Sequence, residues 1–159
     1  MAKLRQPGEA YWARINAAYK RVPIHASPPR FKLQFEKLDA ATANLLAAHW
    51  CQSEVCDGGF YQFFANSTGI LAPEAHRAFR EIGALEWSEQ VRLALSFFGP
   101  EYLRERSARS TALPPPIKGS RRSEWDPFFE LDKEFYSWLK PDQDRWNKLA
   151  DEYANAAAA

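Results

Sequence analysis

Ionisable side chains gather around one break in the chain. Glu54 and Asp57 stand just before Gly58-Gly59, and His76 follows downstream. Brought together, a carboxylate and an imidazole could pass a proton as a general acid–base group. The same carboxylates have plainer work available. A helix broken by two glycines leaves backbone amides without helical partners, and a side-chain oxygen can accept from them. That structural role is the expectation for Glu54 and Asp57. Gln62 and Asn66 are four apart, one helical turn, and could line a groove. Satisfying loop backbone is the expected use of both.

Other chemistries lack their residue sets. His25, His49 and His76 are scattered, and His49 and Cys51, two apart in a helix, face different ways. No Cys-x-x-Cys, His-x-x-x-His or acidic calcium loop occurs, so neither metal nor cofactor is expected. Gly58-Gly59 leads into a phenylalanine-rich run without the lysine of a phosphate loop, and no serine elbow is present. The residues read as a protein without a reaction centre, not an enzyme.

Charge is uneven although the net is only +1. Residues 1–35 carry +6 and 36–98 carry −4, then 99–124 carry +3 and 125–159 carry −4. The basic set Arg104, Arg106, Arg109, Lys118, Arg121 and Arg122 could touch nucleic acid, but it lies in a proline-rich stretch without interleaved aromatics. A solvated loop is the expectation there. Cys51 and Cys56 are too differently oriented along one helix to pair. Free thiols, no apolar leader and no apolar run of membrane-spanning length point to the cytoplasm and away from a membrane.

The elements that position these residues read as helices. Pro7-Gly8 open a first helix over 7–22 with Tyr11, Trp12, Ile15, Tyr19 and Val22 on one face. Pro23 and Pro28-Pro29 stop it, and Phe31–Phe35 is expected to pack as an extended segment. Asp39 caps a second helix, with Leu45, Leu46, Trp50 and Val55 inward, that ends near Cys56. After the glycine pair, Phe60, Phe63 and Phe64 form an aromatic stripe, closed by Asn66 and Gly69. Pro73 opens a helix with Ala75, Ala78, Phe79 and Ile82 inward, ended by Gly83; Trp87, Val91, Leu95 and Phe98 mark the next, ended by Gly99. Pro114-Pro115-Pro116 centre a proline-rich loop near 110–120. Helices return from Trp125, with Phe135 and Trp138, and after Pro141, with Trp146, Leu149 and Tyr153; the tail Ala154–Ala159 is expected to fray.

The pattern therefore predicts an all-α, compact single domain of about six to eight helices, 1–159. Its parts are an N-terminal helix and linker (1–35), a helical core (36–99), a basic loop (100–124) and acidic helices (125–159).

The run Asp57-Gly58-Gly59-Phe60-Tyr61-Gln62-Phe63-Phe64-Ala65-Asn66-Ser67-Thr68-Gly69, followed by Ile82-Gly83-Ala84, resembles the bacterial family of the DNA-mimic protein. That family's signature is an acidic residue, here Glu54, then Asn-Gly-Gly-Phe, a glutamine, an aromatic pair and Asn-Ser-x-Gly; Asp57 stands at the usual asparagine. Leu131-Asp132-Lys133-Glu134-Phe135-Tyr136 is similar to its downstream segment. The resemblance implies an all-helical, enzyme-free protein that occupies a protein partner, a DNA-binding regulator in the best-studied case. A mimic needs a strong negative field, because phosphate charge dominates protein–DNA affinity. At a net charge of +1 only a local patch can supply it. The candidate patch is Asp126, Glu130, Asp132, Glu134, Asp142 and Asp144, with Asp151 and Glu152 beyond it. An immunity protein paired with a toxin, and direct nucleic-acid binding through the basic segments, are the alternative functions.

Overall fold

A computed structural model describes residues 5–158. Met1–Leu4, part of the N-terminal basic block, and Ala159, the end of the alanine tail, lie outside the described residues. Nine α-helices make up the fold among the described residues: α1 Glu9–Tyr19, α2 Pro28–Phe35, α3 Ala40–Ala65, α4 Ala72–Ile82, α5 Leu85–Leu95, α6 Arg106–Ala112, α7 Arg122–Trp125, α8 Phe129–Ser137 and α9 Arg145–Ala158. Two 3₁₀ turns, Ser67–Leu71 and Ser96–Phe98, link α3 to α4 and finish α5. No strand occurs among the described residues, in keeping with the helical periodicity.

The hub is α3, which packs against α1, α4, α6, α8 and α9. Asp39 caps it as expected, its carboxylate accepting from the Thr42 amide at 3.0 Å and the Thr42 hydroxyl at 2.6 Å. The run counts as one helix only nominally. Gly58 (φ −144°, ψ 17°) and Gly59 (φ 78°, ψ 177°) are non-helical, so the expected break is present, with the positive φ at Gly59 alone. Beyond it Phe60, Phe63 and Phe64 are all fully buried. Phe60 and Phe64 meet Phe128, and Phe60 also meets Phe135. A second aromatic group continues the core from Phe79 through Trp87 to Trp146. Trp87 stacks on Phe135 with ring centroids 4.2 Å apart. Its indole N–H donates to the Phe135 carbonyl at 2.8 Å. That bond satisfies the one polar atom the ring brings inside.

Several expectations change. Pro28-Pro29 do not leave an extended linker: they occupy the first turn of α2, where a missing N–H costs nothing and the fixed φ suits a helix. Phe31–Phe35 is accordingly helical, with Phe31 buried and Leu33 out. Trp12 and Tyr19 are 45% and 43% exposed, because Ala18 takes the inward position beside Tyr11 and Ile15. Leu95 and Phe98 are only half-buried, since α5 tightens into a 3₁₀ turn and Ala94 faces in. Residues 106–112 form α6 within the expected loop, and α9 runs through Ala158 with Ala154 buried, so the described part of the tail is helical.

Truncation of the ring most surrounded by other rings gives a direct test. Phe64→Ala should lower unfolding free energy by about 3–5 kcal/mol in urea denaturation, whereas Leu33→Ala on the exposed face of α2 should change it by less than about 1 kcal/mol.

Candidate functional site

The glycine break faces two polar networks. The first is built on Glu54, one turn before the break. Its carboxylate accepts from Gln62 Nε2 at 2.8 Å, from Asn66 Nδ2 at 3.0 and 3.2 Å, and from the Thr68 hydroxyl at 2.8 Å. Gln62 Nε2 also donates to Asp57 at 2.9 Å, so one amide holds two carboxylates. The expectation that Glu54 and Asp57 would accept from amides at the glycine pair is therefore corrected. Their partners are side chains on the far side of the break, and Gln62 and Asn66 serve these carboxylates rather than loop backbone. Gly58 is needed here for space, because a Cβ would run into the Gln62 side chain.

The second network satisfies the broken backbone. Asp132 of α8 accepts the Phe60 amide at 2.8 Å, and Tyr136, one turn later, donates its hydroxyl to the Val55 carbonyl at 2.7 Å. One helix thus supplies an acceptor for the new helical start and a donor for the old helical end. Gly59 has no side chain to obstruct this, since a Cβ there would collide with the Asp132 carboxylate. Behind it, Arg122 pairs with both Asp126 and Asp132, the latter at 2.7 Å. Two buried carboxylates share one guanidinium. Burial pushes the Asp132 carboxyl up to about 6 against the opposing pull of the Phe60 amide, and the Asp126 charge pushes the same way as burial.

The end of α3 is closed by cations. Arg109 is fully buried and donates to the carbonyls of Phe64, Leu103, Arg104 and Asn66 at 2.6–3.0 Å. Arg106 donates to the Ala65 carbonyl at 2.7 Å, and Arg104 to the Ile70 carbonyl and Glu74. Positive charge here complements the carbonyl end of the helix. Gly69 lets Arg109 in, because a Cβ would lie 3.0 Å from its Nε and 2.6 Å from the Phe63 carbonyl oxygen. The solvated basic loop expected from the sequence is corrected for Arg109 and Arg122, which are buried or half-buried, and holds for Arg104, Arg106, Lys118 and Arg121, which are exposed. Arg104, Arg106, Arg109 and Arg122 all donate to groups of the same chain, Arg104 and Arg106 while remaining exposed, and Lys118 is exposed without such a bond among the described residues.

The other candidates are dispersed. His76 bonds Ser88 of α5 at 3.0 Å, His25 meets Ser67, and His49 meets Tyr11, so Glu54, Asp57 and His76 do not share one hydrogen-bond network. Among the described residues no group of three or more His, Cys, Asp or Glu is placed to hold a metal ion. Of the acidic candidates, Asp126 and Asp132 are buried on Arg122 rather than facing outward. Glu130 pairs with Lys133 and Asp142 with Lys148, while Glu134 and Asp144 are exposed. Asp151 accepts from the amides of Gly8, Ala10 and Tyr11 at 2.7–3.0 Å and so caps α1. Arg109 is the residue whose surroundings the sequence hides most; only its position after a helix rich in unsatisfied carbonyls could have marked it.

These features define an all-helical protein whose most distinctive sequence run assembles its own core. The chain belongs to the family described as DMP19-like protein, which matches residues 36–157. No curated protein and no solved structure gave a significant match. No described helix is long and apolar enough to cross a membrane.

Two variants probe the break. Gly59→Ala should destabilise the fold by about 2 kcal/mol or more in urea denaturation, because a side chain there is strained. The backbone at that residue, φ 78° with ψ 177°, is a glycine conformation. For Asp132 the folded state holds the proton more tightly than the unfolded chain. The stability this group contributes is fully present below about pH 4 and is lost as pH rises through about 6. His49, held neutral by burial that lowers its pKa to about 4, titrates with the opposite sign, so the difference between chains is the readout. Relative to Asp132→Asn, the unmodified protein should lose up to about 3 kcal/mol between pH 4 and pH 7 in parallel denaturation series.

Proposed function

We propose that this protein is a non-catalytic binding protein of DNA-mimic type that occupies a protein partner, a DNA-binding regulator being the partner its family resemblance implies. Membership of the DMP19-like family is the observation that carries this reading. The hydrogen bonding supports it: Glu54, Asp57, Gln62 and Asn66, the residues with the best claim to chemistry, bond one another across the glycine break. The partner surface is assigned to exposed carboxylates of the C-terminal helices, Glu130 and Glu134 on α8 and Asp144 before α9, with Asp142 half-buried beside Lys148. Asp126 and Asp132 do not belong to that surface, since both face Arg122.

Direct nucleic-acid binding through the basic segments 1–35 and 99–124 would need free cations, and in the second segment four of the six arginines and lysines donate to carbonyls or carboxylates of the same chain. A toxin in place of the regulator uses the same logic of occupation, with different cargo on the partner side.

The partner should be captured from source-cell lysate on immobilised protein, purified, loaded with its own duplex DNA and titrated with the free protein. Displacement of the duplex is expected. A Glu130→Lys, Glu134→Lys double variant should need at least about tenfold more protein for the same displacement, because like charge is then set against a DNA-binding surface. A partner that keeps its duplex, or a duplex that the protein itself shifts with steep salt dependence, overturns the reading.

A further inference from the structure

Two cavities of about 490 and 320 Å³ adjoin across Pro28, Ile70 and Arg104, forming one groove between α2, α4 and the segment leading into α6. Its wall on the α2 side lies outside the family-matched residues 36–157. The lining is apolar where Phe31, Phe35 and Ile70 meet, and charged at the rim. In the larger cavity Lys32, Arg77 and Arg104 face Glu36 and Glu74, with Lys32 paired to Glu36, so the surplus positive charge lies with Arg77 and Arg104 around Glu74; Arg106 and Arg109 of the smaller cavity are taken up by carbonyls. Arg104 lines both. Its Nη1 is committed to the Ile70 carbonyl and Glu74, while its Nε and Nη2 make no bond among the described residues. Arg77, with its side chain 65% exposed, lies 3.6 Å from a Glu74 oxygen and makes no closer polar contact among the described residues.

A guanidinium edge beside an apolar floor of this size selects a molecule with one flat anionic head and a hydrocarbon body. We infer that this groove binds a small amphipathic carboxylate. The volume suits a chain of several methylenes or one ring system, and the apolar body supplies the affinity while the arginines fix the head. The inference is independent of the partner surface on α8, which lies on other residues.

Decanoate, kept below its micelle concentration, is the probe, with decanol and acetate as the two half-ligands. Isothermal titration should show saturable binding of one decanoate, at least about tenfold weaker binding of decanol, and none of acetate. Amide resonances of residues 30–36, 70–72, 74–77 and 104 should shift. Arg77→Gln, an exposed rim change, should weaken decanoate about tenfold and leave decanol unaffected. Phe35→Ala should weaken both. No saturable decanoate binding, decanol binding as tightly as decanoate, amide shifts confined to other residues, or indifference to Arg77→Gln would overturn the inference.

Discussion

A single carboxylate carries the corner on which this bundle turns. When the backbone of α3 breaks at Gly58-Gly59, the amide of Phe60 is left pointing into a place water does not reach. Asp132 accepts it, and the ring of Phe60 is thereby set against Phe128 and Phe135. Without that bond the buried amide would be unsatisfied, a loss larger than the net worth of an ordinary hydrogen bond. The aromatic stripe, the stacking of Trp87 on Phe135 and the seat of α8 all follow from where this corner lies. Both glycines leave room by absence of side chain, one for Gln62 and the other for Asp132, and Gly59 also takes a backbone conformation, φ 78°, that other residues reach only under strain.

Burying Asp132 leaves a charge that an arginine must balance, and a second arginine is buried for a different reason. Arg122 answers Asp126 and Asp132. Arg109 is held instead by carbonyl oxygens, two of them at the end of α3. A buried ion pair is often no better than packed hydrocarbon, but it can fix one geometry among many. Here the ions fix where α6, α7 and α8 attach to α3, which hydrophobic contact alone would leave less defined. Positive charge that looks available for nucleic acid in the linear chain is in this way converted into helix termination and loop anchoring.

Much of the fold is legible in the sequence because it rests on local rules. Asp39 as a cap, Pro73 as a helix start, and Gly83 and Gly99 as stops each act within a few residues, and the structure keeps them all. The buried triplet Phe60, Phe63 and Phe64 is equally readable from its spacing. What is not legible depends on distant partners. Nothing near Arg109 in sequence announces the carbonyls of Phe64 and Asn66, and nothing near Asp132 announces an amide on another helix. Pro28-Pro29 mislead for a different reason: the same pair that ends one helix is well suited to begin the next. The candidate site shares this division. Glu54 and Gln62 can be singled out from the linear chain, but that they bond each other requires the chain to fold back across the break.

Asp151 seats the N-terminal helix by accepting three main-chain amides, those of Gly8, Ala10 and Tyr11. Such a contact reads backbone and ignores side-chain identity. The rest of the seat is selective: Tyr11, Ile15 and Ala18 are buried, and Gly8, at φ 99° with Asn147 beside it, leaves no room for a side chain. The same helix is thus gripped in two ways at once, by a carboxylate blind to side chains and by a core that admits only particular ones.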